Sequence, residues 1–271
     1  MPLRLILLGL PLVLLLAPGT PLADGVGNGR MIVRPTRAVA GSTGNNLTFT
    51  FTADPRALVG DVSMDAPVLW SPFQQRDASG PGYVRLDHGT CSGKTHITSL
   101  TRKRVLIKTV CGRGHGFALT YSNATAARLT ADGWVFVTRT RPAPKKGKRP
   151  APFRVLPAER QPVIRTVGGP AVELTLSAPA VVTAGVAFTI TPRANDQFGN
   201  PAGGYVGTVS FTSTDPLAKL PPPYKFAVGD AGSKALAGTV LSTPGTQRIS
   251  TSDDGGLRAT SGPISVISAS H

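Results

Sequence analysis

Leu47, Phe49 and Phe51 alternate with Thr48, Thr50 and Thr52. A strict period of two gives an extended strand one apolar and one polar face, whereas a helix would scatter those residues around its circumference. The same texture recurs. Trp134, Phe136 and Thr138 alternate with Val135 and Val137, which reads as a strand buried on both faces. Residues 83–87, 103–110 and 117–121 are further strand candidates. The chain has 31 Gly and 25 Pro, which break these runs into short pieces joined by turns. The best helical stretch, residues 123–131, is too short to anchor an α fold. An all-β chain is expected.

The N-terminus reads differently. Arg4 supplies a positive charge, residues 5–17 are apolar apart from Gly9 and Pro11, and Ala17, Gly19 and Ala23 follow as small residues. That order describes a secretory signal peptide over residues 1–23, with cleavage expected between Gly19 and Ala23. The alternative is an uncleaved membrane anchor, but the run falls short of the roughly 20 apolar residues a spanning helix needs. No cysteine stands near the cleavage region to carry lipid, and the chain ends Ile-Ser-Ala-Ser-His without a hydrophobic tail. The expected mature protein is secreted, either free or held at the cell wall by binding.

The remaining roughly 245 residues suffice for one large or two ordinary domains at roughly 100–200 residues each. Residues 29–140 form a first candidate β-sandwich. Residues 141–169 open with Arg-Pro-Ala-Pro-Lys-Lys-Gly-Lys-Arg-Pro and read as an extended Pro-rich basic linker, with residues 163–167 as a candidate joining strand. Residues 170–267 hold seven strand candidates, at 172–176, 187–191, 206–212, 225–228, 236–241, 247–251 and 264–267. Seven strands in about 100 residues is the scale of an immunoglobulin-like sandwich. The expected architecture is therefore two β-sandwich domains on one linker. A weak internal echo links them: Val39-Ala40-Gly41 precedes the strand at Leu47, and Val182-Thr-Ala-Gly185 precedes Phe188-Thr-Ile-Thr.

Val182-Thr-Ala-Gly185, Ala194-Asn-Asp-Gln-Phe-Gly-Asn200, residues 203–215, Leu220-Pro, Tyr224-Lys-Phe226, Asp230-Ala-Gly232 and Pro244-Gly-Thr-Gln247 follow one another in a characteristic order. The second domain thereby resembles the repeated immunoglobulin-like modules of bacterial secreted and cell-surface proteins. The first, on residues 40–45, Pro67 to Trp70 and Pro81-Gly-Tyr83, resembles other β-rich domains of bacterial exported proteins. The resemblance implies adhesive, spacer or wall-associated roles, other surface proteins among the partners, and no catalytic set.

Charge points the same way. The net charge is +15, and the cations concentrate before residue 155. Arg102, Lys103, Arg104, Lys108 and Arg113 lie in one stretch; Lys145, Lys146, Lys148 and Arg149 lie in another. Such a surface invites anionic partners: wall polymers, acidic glycans, lipid headgroups or nucleic acid. No aromatic residue is interleaved with the Lys145–Arg149 run, so it offers no stacking platform for single-stranded nucleic acid.

Cys91 and Cys111 are the only cysteines, and in an exported chain they read as one disulfide. Zinc is the rival, because His96 and His115 stand at near-ligand spacings from them. Ser92-Gly93-Lys94-Thr95 lacks the first glycine of a phosphate loop, His88 standing in its place. Gly112-Arg-Gly-His-Gly116 reads as a tight hairpin turn, with a flexible binding loop as the alternative. Asp196, Asn200, Asp215 and Asp230 are either turn caps or calcium ligands. Glu159 and Glu173 are the only glutamates, and no Gly-x-Ser-x-Gly elbow or acid–His–Ser set is evident. These residues imply no cofactor and no enzyme. The expected function is a non-catalytic envelope or adhesion-type protein whose basic face and linker attach to anionic polymer. A glycan-binding accessory module of a carbohydrate-active system, or a purely structural secreted protein, are the alternatives.

Overall fold

The alternating run at residue 47 becomes a strand whose Leu47, Phe49 and Phe51 are fully buried while its threonines face outward. The computed structural model describes residues 26–55, 58–144 and 146–269. The expected signal peptide and Lys145 lie outside these. Every regular element of more than one turn is a strand, in keeping with the all-β expectation.

The first twelve strands run in order as β1 (Arg30–Arg34), β2 (Arg37–Val39), β3 (Asn45–Thr52), β4 (Val59–Asp65), β5 (Tyr83–Asp87), β6 (His96–Leu100), β7 (Arg104–Cys111), β8 (Gly116–Ala124), β9 (Ala131–Val135), β10 (Val137–Pro142), β11 (Arg154–Val155) and β12 (Val163–Val167). They form a four-stranded sheet β1-β3-β8-β5, a five-stranded sheet β11-β10-β4-β7-β6 and a three-stranded sheet β2-β12-β9. One core fills the space between them. Phe136 sits at its centre, 4.8 Å from the ring of Phe49 and 5.5 Å from that of Trp70.

The run at residues 134–138 is not one strand buried on both faces. The chain changes sheet at Phe136: β9 pairs with β12 and β10 pairs with β4. Val135 is left exposed while Phe136 is buried completely. The short helical candidate at 123–131 is the end of β8, a loop and the first residue of β9.

The expected spacer also takes another form. Leu156 and Ile164 are buried in the first core, and β11 and β12 pair with β10, β2 and β9. Among the described residues of this stretch, 143–144 and 146–153 form the long connection between β10 and β11. Thr166 explains why β12 belongs here. Its hydroxyl accepts from Ala131 N (3.0 Å) and Trp134 Nε1 (2.8 Å) and donates to Leu129 O (2.6 Å). A spacer would leave these groups to water.

The second sandwich contains β13 (Glu173–Ser177), β14 (Val181–Thr183), β15 (Phe188–Asn195), β16 (Thr208–Ser213), β17 (Tyr224–Lys225), β18 (Leu236–Thr239), β19 (Gly245–Gln247), β20 (Ile249–Asp253), β21 (Arg258–Thr260) and β22 (Ile264–Ile267). Two apolar clusters, one around Ile190, Ile249 and Ile264 and one around Val209 and Phe226, form its core.

The internal echo is a shared corner. β2 runs parallel to β12, the last strand of the first sandwich, and β14 runs parallel to β22, the last of the second. Ala40 N donates to Val167 O and Ala184 N to Ile267 O, both at 2.8 Å. Gly41 N and Gly185 N then donate to Ala127 O and Leu241 O, both at 2.9 Å. Gly41 (φ 68°) and Gly185 (φ 77°) hold the left-handed conformation that turns the chain, which favours glycine there.

Residues 168–172 connect the sandwiches. Gly168 passes so close to the second that an added Cβ would lie 1.9 Å from Pro201 O. Asn200 reaches back across the junction. Its amide donates to Arg128 O (2.8 Å) and its carbonyl accepts from Thr130 N (3.1 Å). The Phe198 ring lies against Gly41 and 5.4 Å from the Arg128 guanidinium carbon.

Candidate polyanion-binding surface

Alternation along β7 sends Val105, Ile107, Thr109 and Cys111 into the core, so Arg104 and Lys108 face solvent. Register then fixes their neighbours. Arg104 stands opposite Asp65, and Lys108 opposite Asp61. On the far side of β4, Arg139 and Arg141 occupy the same outer face. Four cations and two carboxylates thus alternate across the five-stranded sheet.

Asp65 lies between two arginines. Arg104 Nε and Nη2 contact its two oxygens at 2.5 and 2.8 Å, and Arg139 Nη1 adds a bond of 2.7 Å. Partial burial pushes the Asp65 carboxyl up, but the two guanidinium groups outweigh it and hold the carboxyl below its usual range. Arg141 Nε bonds Asp61 Oδ2 at 2.6 Å, and its guanidinium carbon lies 4.5 Å from the Phe153 ring centre. Arg104, grouped by sequence with the free cations, is therefore held in an ion pair.

The others remain exposed, and among the described residues Arg102, Lys103, Lys108, Arg113, Lys146, Lys148 and Arg149 make no ion pair. They do not form one patch. Arg102 and Lys103 occupy the β6–β7 turn, beside the Arg104–Asp65 end of the sheet. Arg113 lies in the β7–β8 turn at the opposite end. The β10–β11 connection springs from that same end, because Pro142 and Cys111 both pair with Val59. The eight residues of β7 separate the two groups by about 25 Å. Lys108 stands between them.

Cys91 and Cys111 are joined by a disulfide, and both are buried. His96 Nδ1 and His115 Nδ1 instead contact the carbonyls of Lys94 and Thr90, each at 2.6 Å. Breaking the bond releases a loop of sequence separation 20, so reduction is expected to lower stability by about 3 kcal/mol on the chain-entropy account. Urea unfolding with and without reductant measures it.

Ser92 to Thr95 form a turn closed by Thr95 N on Ser92 O (2.9 Å) and lead into a strand, so no helix N-terminus cradles an anion there. Gly112 to His115 close the expected tight turn. The acids weighed as calcium ligands face protein donors. Asp196 accepts from Gly169 N, Phe198 N, Asn200 N and the Asn200 amide. Asp230 accepts from Tyr224 Oη, Ala227 N and Lys234 Nζ. They serve as turn and junction caps. Among the described residues, no group of three or more His, Cys, Asp or Glu could hold a metal ion. No described helix is long and apolar enough to cross a membrane.

No protein-family model matches the chain, and no curated protein matches it. Several solved structures are similar. One is the Escherichia coli adhesin FdeC, with 16% identity over 91% of this chain and 65% of that one, at a TM-score of 0.35. The type II cohesin dyad from the adaptor ScaA scaffoldin of Acetivibrio cellulolyticus has 9% identity over 90% of this chain and 98% of that one, at 0.33. A C-terminal 282-residue fragment of intimin, solved with the intimin-binding domain of the translocated intimin receptor, has 12% identity over 87% and 62%, at 0.22. The chain thus spans just under two thirds of the adhesin and intimin structures.

Proposed function

We propose that this is an exported, non-catalytic binding protein of the cell envelope, attached to anionic polymer by its first sandwich and using the second as a spacer. The sandwiches divide at residues 168–172. The observation that carries this reading is the β10–β11 connection, described at residues 143–144 and 146–153. Its Lys146, Lys148 and Arg149 are exposed and unpaired, and both ends of the loop are fixed in the five-stranded sheet through β10 and β11. A spacer between domains would scatter this charge; a loop tied down at both ends concentrates it beside Arg113. Ordering by the sheet lowers the entropy lost when a polymer binds.

Binding of the chain to an immobilised acidic polysaccharide tests it. Retention is expected to fall at least tenfold between about 0.05 and 0.5 M salt, because exposed charges are screened over that range. Replacing Lys146, Lys148 and Arg149 by Ser should weaken low-salt binding without altering the thermal unfolding midpoint. Retention that ignores salt and the triple replacement would count against electrostatic attachment and favour a neutral-glycan module.

A further inference from the structure

The opposite face of the first sandwich carries a second set of cations, scattered through the sequence and brought together only by strand register. On the outer face of the sheet β1-β3-β8-β5, Arg34 pairs with Thr48, Thr48 with Thr120, and Thr120 with Arg85. The row reads Arg-Thr-Thr-Arg across all four strands. Arg30 lies on the same face of β1, four residues from Arg34, and Tyr83 on the same face of β5, two residues from Arg85. Arg30, Arg34 and Arg85 are exposed. None makes an ion pair among the described residues. Here the two outer faces differ: Asp61 and Asp65 engage three of the four cations on the five-stranded sheet, whereas these three arginines are free. Among the described strand residues of this face the one carboxylate, Asp87, turns an oxygen to Gly89 N at 3.0 Å.

We infer that this face binds a linear acidic polysaccharide. Strands stand about 4.8 Å apart, so Arg34 and Arg85 are about 14 Å apart across the row. Arg30 and Arg34 are about 13 Å apart along β1. Between the charges lie threonine hydroxyls, each able to donate and accept a hydrogen bond. Sparse guanidinium forks separated by neutral hydroxyls complement a polymer whose carboxylates are separated by neutral, hydroxylated sugar units. They match a densely charged phosphate chain poorly. Tyr83 adds an apolar ring with a polar tip, suited to the mixed surface of a sugar. The inference deepens the reading above and rests on it only for the sign of the partner's charge.

The test uses the full chain and three soluble probes: polygalacturonate, inorganic polyphosphate and single-stranded DNA. Replacing Arg30, Arg34 and Arg85 by Gln is expected to weaken polygalacturonate binding about tenfold, roughly twofold for each exposed charge contact. Polyphosphate and DNA binding should change less than threefold. Thermal unfolding should be unchanged, since all three residues are on the surface. Arg34→Lys with Arg85→Lys should recover only part of the loss, because Lys keeps the charge and loses the fork. Undiminished polygalacturonate binding by the Gln variant overturns the inference, and so does an equal loss on all three probes. The loop variant at Lys146, Lys148 and Arg149 reports separately on the earlier reading: if it binds normally while the Gln variant does not, the loop assignment fails and the sheet assignment stands.

Discussion

Ile164→Ala lowers the stability of the first sandwich by about 2–5 kcal/mol, the cost of removing a large aliphatic side chain from a closed core. Ile164 is fully buried on β12, opposite Trp134 of β9, and packs in the cluster that holds Phe49 and Phe136. Urea unfolding followed by tryptophan fluorescence measures the effect, because both Trp70 and Trp134 lie in this sandwich. Lys148→Ala is the paired control and should stay within about 0.5 kcal/mol, as surface changes do. The pair separates two architectures. If residues 141–169 were a spacer outside the fold, both replacements would be equally mild. A mild Ile164→Ala would place the end of the first sandwich before β11.

Asp215→Asn destabilises the second sandwich by about 3–4 kcal/mol at neutral pH, through loss of several charge-assisted bonds. The carboxylate is buried and ties two loops together. Oδ1 accepts from Leu217 N (2.9 Å) and Thr243 Oγ1 (2.7 Å), and Oδ2 from Ser242 N (2.6 Å) and Thr243 N (3.0 Å). An amide at this site must aim its NH₂ at one of those donor pairs. Burial pushes the Asp215 carboxyl up, but the bonds from Thr243, Leu217 and Ser242 outweigh it and hold it down to about 2. The sign follows from linkage. The folded value lies below the 3.8 of a free Asp, so the stabilisation is full above that pH and is lost as pH falls from about 4 through about 2. In denaturant titrations across that window, the Asn variant should show a shallower acid decline than the parent chain. An unchanged acid limb would mean that other carboxylates carry it.

Where one face of a strand is buried and the other is wet, the sequence is readable. Residues 83–87 and 264–267 form strands at the bounds expected for them. β4 escaped because Asp61, Ser63 and Asp65 interrupt its apolar residues; those polar groups lie beneath arginines from two neighbouring strands, which no local pattern reveals. The basic loop was visible as composition, but its lysines and prolines masked the buried Leu156 and Ile164 that follow. Of the site, contiguous cations were legible and their partners were not, since Arg104 and Asp65 are 39 residues apart. Arg30, Arg34 and Arg85 gave no signal at all, because only register makes them neighbours. The Asp196–Asn200 turn was recognisable as a turn; its grip on Arg128 and Thr130 was not, for that depends on how the two sandwiches meet.

The corner common to both sandwiches bears on how the chain takes a load. In a tethered protein, tension enters each sandwich at its first strands and leaves at its last. β2 and β12, like β14 and β22, lie parallel and joined by hydrogen bonds. Once β1 or β13 has been drawn away, a pull on the two ends slides the paired strands along each other, and their bonds must yield together instead of one by one. A hairpin pulled from its open end would unzip in sequence under less force. The same Ala-Gly corner that shapes the fold would thus act as a shear clamp, used twice in one chain.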